Sequence, residues 1–173
     1  MEQLETRRLI LRRFREEDLD PFAAICADPE VMRYASLDGK PLSRARAWNW
    51  MCSMEGHREL RGYGMWAVEE KSSGKLMGRI GLQYPEEFPD IEIAWLLGKA
   101  YWGKGYATEG ATAALDHGFQ ALDKDSFISL IFPENTRSSR LAERLGEVYE
   151  GDFELHGKKL RLYRLHREKW RND

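Results

Sequence analysis

Residues 98–109 read Gly-Lys-Ala-Tyr-Trp-Gly-Lys-Gly-Tyr-Ala-Thr-Glu; they leave an apolar run and enter a stretch of helical periodicity. Glycines at such a junction let the backbone turn tightly. The unpaired amides of a first helical turn, at the positive end of the helix, form an anion site. Trp102, Gly103, Lys104, Gly105, Tyr106, Ala107 and Thr108 are therefore placed to hold a phosphate group. Two common phosphate patterns fit incompletely. A P-loop needs a hydroxyl after GxxxxGK to hold magnesium, and Gly105 stands there instead. A dinucleotide fingerprint needs a third glycine where this chain has Thr108, and the next apolar run, 127–132, ends without an acid to hold a ribose. A helix-entry loop that binds nothing is the plain alternative.

Other residues could do chemistry nearby. Glu92 is the only charge in the apolar run 91–97, which makes it a candidate general base or, more simply, a strand-end carboxylate in solvent. Asn135 is a good helix N-cap, and Ser138 is either a second capping hydroxyl or a reactive one. Glu109 suits the dipole at a helix start. Trp48, Trp50, Trp66, Trp95, Tyr34 and Tyr84 could line an acceptor groove or pack a core. His57, His117, His156 and His166 are scattered, as are Cys26 and Cys52, with no metal-ligand spacing; reduced, mostly buried thiols and no bound metal are expected.

The elements that must position these residues follow from periodicity. A strand is expected around 9–14, a helix over 18–27 with Leu19, Phe22, Ala23 and Cys26 on one face, and a second helix from the cap Ser43 to about Leu60. Strands follow over 65–68 and 76–84, joined by a turn at 71–74; Gly78 and Gly81 inside the second suggest a bulge or a close backbone approach. The run 91–97 reads as a central strand. Then come a helix over 108–122, a strand over 127–132, a helix over 135–145 closed by Gly146, and an antiparallel pair over 148–153 and 159–165. This order predicts one α/β domain over residues 1–173, a mixed sheet of about seven strands with helices on both faces. With 173 residues and a net charge of -2, the chain has no global attraction to nucleic acid or an anionic membrane. Its charged N-terminus and lack of a long apolar run lead us to expect a cytoplasmic protein.

Gly105 and Ala107 also meet the pyrophosphate-loop pattern Gln/Arg-x-x-Gly-x-Gly/Ala, with Trp102 in the leading position. The run Tyr101-Trp102-Gly103-Lys104-Gly105-Tyr106-Ala107-Thr108-Glu109 resembles the RimJ/RimL-type N-acetyltransferases of the GNAT superfamily. So do the opening Leu4-Glu5-Thr6-Arg7-Arg8-Leu9-Ile10-Leu11-Arg12, the stretch Glu134-Asn135-Thr136-Arg137-Ser138, and the closing Gly151-Asp152-Phe153-Glu154 and Tyr163-Arg164-Leu165. The resemblance implies acetyl-CoA as acyl donor and a primary amine as acceptor, either a protein or peptide N-terminus or a small molecule such as a polyamine or aminoglycoside. It implies a gap between strands 91–97 and 127–132, with a backbone amide near Leu96 or Leu97 facing the thioester oxygen and Asn135 contacting the cofactor arm. The family's tyrosine, seven residues after this Asn, is Ala142 here, and Ser138 is the replacement acid. That loss also leaves open a non-catalytic acyl-CoA-binding regulator. A monomer or homodimer is expected.

Overall fold

Two apolar helical faces decide the layering. Leu19, Phe22, Ala23 and Cys26 of α1 (Leu19–Cys26) join Val31 and Met32 of α2 (Pro29–Met32) and Ala47, Met51 and Met54 of α3 (Arg44–Arg61) in one core. Ala111, Ala114, Leu115 and Phe119 of α4 (Tyr106–Ala121) form another, with Leu141 of α5 (Thr136–Arg144). Between these layers lies an eight-stranded sheet: β1 (Gln3–Glu5), β2 (Leu9–Arg12), β3 (Met65–Glu70), β4 (Leu76–Gln83), β5 (Glu92–Leu97), β6 (Ser126–Ile131), β7 (Val148–Leu155) and β8 (Lys158–His166). The computed structural model describes residues 3–170.

The strand order is β1-β2-β3-β4-β5-β6-β8-β7. Neighbours are antiparallel except β5 and β6, which run parallel with α4 as the crossover between them. Burying β5 between two neighbours explains its apolar run. The sheet has one strand more than the periodicity suggests. Three-residue β1 carries no alternation long enough to register. Asp28 and Pro29, just past the expected end of the first helix, also start α2: the Asp28 carboxylate accepts from the Glu30 amide at 2.8 Å, and Pro29 takes the first helical position.

The first helix is held to the sheet by a buried ion network. Arg12, on β2, gives Nη1 and Nη2 to the Asp18 carboxylate at 2.7 and 2.9 Å and Nε to Glu69 at 2.8 Å. His57 links α3 to β4 as a neutral ring: its Nδ1–H donates to the Tyr63 carbonyl and its Nε2 accepts from the Tyr84 amide, both at 3.0 Å. Burial pushes its pKa down, which favours that neutral form.

The two strand glycines are sites of close approach. A Cβ on Gly78 would lie 2.0 Å from the Leu96 carbonyl oxygen, and one on Gly81 would lie 2.6 Å from that of Gly64. Register shifts beside Gly78, between Val68 and Glu69. Gly78→Ala is expected to destabilise by about 3 kcal/mol or more, since β4 and β5 must separate. Gly74→Ala, at φ 66 in open space, should lose only about 1–2 kcal/mol. Urea unfolding of both variants checks the contrast; equal losses would remove the close-approach argument.

Candidate active site

The site grows from the place where β5 and β6 part. Their parallel ladder has one rung, Glu92 opposite Ile128, with the Ile128 amide donating to the Ile91 carbonyl at 2.9 Å. Side chains fill the next position. The Leu130 amide donates to Glu92 Oε1 at 3.1 Å, and the Ser129 hydroxyl reaches the Ile93 carbonyl at 3.1 Å. Further along, the Trp102 indole N–H donates to the Leu97 carbonyl at 2.8 Å.

Alternation along β5 then decides which amides face the gap. Gly98 donates to Met77 across the β4–β5 pair, and the register places Leu96 opposite Arg79. Hydrogen-bonded positions alternate in an antiparallel pair, so the Leu96 amide is directed at β4 while those of Trp95 and Leu97 face β6. This corrects the expectation for Leu96: its amide is committed to the sheet. Trp95 and Leu97 are the amides that meet no strand, because β6 has already diverged.

Two cavities open on this gap. One, of about 680 Å³, is lined by Leu96, Leu97, Trp102, Gly103, Gly105, Tyr106, Ala107, Thr108, Asn135 and Ser138, so the structure brings together the proposed cofactor residues, Lys104 excepted. The other, of about 330 Å³, is lined by Glu92, Arg79, Gln83 and Ser129. Tyr34, Ala35, Trp95, Asn135 and Ser138 line both.

At the seam, Asn135 caps α5 by accepting from the Ser138 amide at 3.3 Å. The Trp95 indole N–H approaches the Ser138 hydroxyl oxygen at 3.2 Å. Indole only donates, so Ser138 accepts there and its own proton is free to point elsewhere. Ala142 is buried with Ile131 and Tyr163, and brings no hydroxyl to the seam. Glu92 is buried, unlike a strand-end carboxylate in solvent. Its Oε2 accepts from Gln83 at 2.6 Å, and burial pushes its pKa up.

The glycine loop has its own conformational logic. Gly103 and Gly105 have φ of 73 and 79, and Gly105 is the N-cap of α4. No side chain caps that helix, and its first internal bond runs from Glu109 to Gly105, so the amides of Tyr106, Ala107 and Thr108 are left for another partner. The glycines thus serve the turn whether or not an anion is bound. Glu109 anchors the loop rather than only meeting a dipole: its carboxylate accepts from the Thr6 hydroxyl (2.6 Å), the Arg8 amide (2.8 Å) and Arg8 Nε (2.7 Å). Arg8 also donates to the Lys104 carbonyl at 3.0 Å and stacks on Tyr106. Arg137, Arg140 and Arg144 of α5 add positive charge to the larger cavity, and Arg137 lies 3.6 Å over the Trp102 ring.

Of the aromatics singled out in the sequence, Tyr34 and Trp95 line the smaller cavity. Trp66 is wholly buried in the core, Trp48 is exposed on α3, and Trp50 packs on Phe22 and Arg79. The thiols are free; Cys26 is buried, but Cys52 is exposed, contrary to expectation. Residues 86–90 form an acidic turn whose carboxylates have basic neighbours: Glu86 pairs with Arg61, Glu87 lies 2.7 Å from His156, and Asp90 lies 2.7 Å from Arg164. No described helix is long and apolar enough to cross a membrane.

Sequence reasoning missed Arg79, Ser129 and Glu147. Glu147 is buried with Oε1 3.0 Å from the Ser129 hydroxyl and no partner on Oε2 among the described residues. Burial pushes its pKa up to about 8. Ser129 has one proton; given to Ile93, it leaves the carboxylic acid of Glu147 to donate to Ser129.

The acetyltransferase (GNAT) domain model matches residues 8–148. The uncharacterized protein YkkB of Bacillus subtilis is 34% identical over 93% of this chain and 94% of its own length. The uncharacterized N-acetyltransferase p20 of Bacillus licheniformis is 32% identical over 87% and 85%. The crystal structure of an acetyltransferase from Agrobacterium tumefaciens superposes with a TM-score of 0.85 at 28% identity, covering 96% of this chain and 95% of that one.

Two outcomes follow from this geometry. With CoA as the ligand expected at the glycine loop, Glu109→Ala should weaken its binding by about tenfold, as a helix start without its tether loosens; calorimetry on the folded variant reads it, and unchanged affinity would sever the tether from binding. Glu147 makes stability depend on pH. Its folded pKa exceeds the ordinary 4.5, so the native state holds the proton more tightly. The associated stability is complete below 4.5 and is lost as pH rises to about 8, by at most about 1.4 kcal/mol per unit. Glu147→Gln keeps a donor for Ser129 and should flatten that slope in urea titrations; Glu92 leaves a residual slope of the same sign.

Proposed function

The chain belongs to the GNAT acetyltransferase family, and on that premise we propose that it moves acetyl from acetyl-CoA directly to a primary amine while both are bound. We place it in the RimJ/RimL-type branch on its loop and capping motifs. The observation that carries the reading is the meeting of the two cavities at Trp95 and Ser138, where β5 and β6 part.

In this reading the larger cavity receives the acyl donor. The amides of Tyr106, Ala107 and Thr108 and the positive end of α4 take the pyrophosphate, with Arg137, Arg140 and Arg144 adding charge. The β6-facing edge of β5 takes the pantetheine arm as an added strand would be taken. An amine with a pKa of roughly 8–10 must lose a proton before it can attack. Glu92 accepts that proton, directly or through water. Its raised pKa makes it a stronger base than an ordinary carboxylate, at the expense of needing a higher pH to ionise. The Trp95 or Leu97 amide steadies the carbonyl oxygen as it gains negative charge. Ser138, accepting from Trp95, is free to give its own proton to the departing sulfur.

For the acceptor we propose an α-amine at a protein or peptide N-terminus. A polycation needs a carboxylate-lined groove, and the carboxylates of turn 86–90 already have basic neighbours in Arg61, His156 and Arg164. The smaller cavity sets a buried guanidinium, Arg79, beside the carboxylates Glu87 and Glu92, and a polycation would meet that like charge.

Glu92→Gln is expected to lower turnover at neutral pH by about 10²–10⁴ and to lose less at high pH, where the amine is already neutral. Parallel profiles for wild type and variant would remove Glu92 from the mechanism. Ser138→Ala should lower the maximal rate with little change in acetyl-CoA affinity. Specificity constants for spermidine, an aminoglycoside and short peptides with free N-termini should favour the peptides; a polyamine preference of about tenfold would reverse the acceptor assignment.

A further inference from the structure

Arg79 is the unexplained group in the smaller cavity. It sits on β4 opposite Leu96, is 5% exposed and lines the cavity beside Glu92. Two of its three guanidinium nitrogens, Nε and Nη1, have no hydrogen-bond partner among the described residues. Its one well-formed contact is a stack on the Trp50 ring, 4.4 Å from the centroid, which fixes the plane of the fork but satisfies none of its N–H groups. Glu92 attracts it electrostatically, but the bonds Glu92 accepts come from Gln83 and the Leu130 amide, and no hydrogen bond joins it to Arg79 Nε or Nη1. Arg12, the buried arginine elsewhere in this fold, shows the contrast: its fork is filled by Asp18 and Glu69. Burial lowers the Arg79 pKa to about 10, so the group stays charged at neutral pH. A buried cation with open donors calls for an anion. The donor's phosphates do not supply it, because the cavity at the glycine loop does not include Arg79.

We propose that Arg79 is a specificity-determining residue that binds a carboxylate on the acceptor, so that the amine presented toward Glu92 belongs to a molecule carrying a carboxylate close by. This rests on the transferase reading above; an acidic peptide would narrow the acceptor proposed there, and a free amino acid would replace it. A planar, pre-oriented fork suits a planar carboxylate held by two N–H bonds. One contact would thereby neutralise the buried charge and orient the amine for attack. Two sources share this chemistry: the α-carboxylate of a free amino acid, and an acidic side chain near a peptide N-terminus.

The test uses matched acceptors with the wild-type protein. Alanine against alaninamide probes the α-carboxylate; Asp-Ala amide against Asn-Ala amide probes the side chain. In at least one pair the acid should exceed its amide by about tenfold or more in kcat/KM, and the responding pair identifies the source. Arg79→Gln should level that pair, bringing the acid-to-amide ratio of kcat/KM within about threefold whatever loss the two share through Glu92; Arg79→Lys should restore part of the preference. Acid and amide within about threefold in both pairs, or an equal loss on both in Arg79→Gln, would overturn the proposal. Should that variant misfold, the wild-type pairs still decide it. A second readout is the melting temperature with glutarate, a carboxylate without an amine, expected to rise for wild type and not for Arg79→Gln. Protection by glutarate through Arg79 without turnover of any amine would sink the transferase reading and keep the anion site. Turnover without carboxylate preference would do the reverse, and neither turnover nor protection would sink both.

Discussion

The structure depends on a broken rung. A parallel pair buried in the middle of a sheet should continue its ladder, because a buried backbone group left unpaired is costly. Here β5 and β6 stop after Glu92–Ile128, and polar side chains take over the next positions. Glu92 receives the Leu130 amide, Ser129 serves the Ile93 carbonyl, and Trp102 serves that of Leu97. The strands can part because each of these backbone groups has a substitute partner. The opening leaves two amides on β5, at Trp95 and Leu97, without a protein strand to receive them. The same side chains that permit the opening also line it.

That origin explains why the centre of the protein is so polar. Glu92, Ser129, Glu147 and Arg79 are all buried within or beside the split. Desolvation raises the carboxyl pKa values and lowers that of the guanidinium, so each group is held away from its preferred ionisation. A structural ion network looks different. Around Arg12 the donors and acceptors are matched, and burial there is compensated. Unmatched buried atoms also occur elsewhere among the described residues, on Arg58, Trp66 and Ser139; the split is set apart because acids and a guanidinium of shifted ionisation gather there beside a cavity, the pattern of a site that receives ligands.

Much of this was legible in the sequence. The α1 face of Leu19, Phe22, Ala23 and Cys26 was visible because helical periodicity is local, and so was the strand glycine pair. The glycine loop stood out because two residues of positive φ sit at a helix start. What could not be read is set by register. Arg79 looked like one charge in a glycine-rich strand, and only its place opposite Leu96 and under Trp50 makes it a buried, open fork. Glu147 follows the closing glycine of α5 with no local pattern to mark it; it is the docking of α5 that carries it against Ser129. Glu92 was noticed for its isolation, yet its orientation into the split depends on β6 diverging one residue later. Leu96 and Leu97 are adjacent apolar residues, and a ladder's alternation alone separates their amides.

The strand order also shapes how the chain assembles. β8 lies between β6 and β7, so β6 has its second neighbour only once residues near the end of the described chain are in place. Until then β6 is an edge, joined to β5 by one rung and open on its other side. A chain emerging vectorially can complete β1 to β5 and their helices from contacts already made. The half of the crevice carrying Ser129 must await β8. Synthesis therefore passes through a stage with a nearly finished antiparallel sheet and an unpaired apolar strand, Phe127 to Ile131, which is the stage most open to mispairing with another chain.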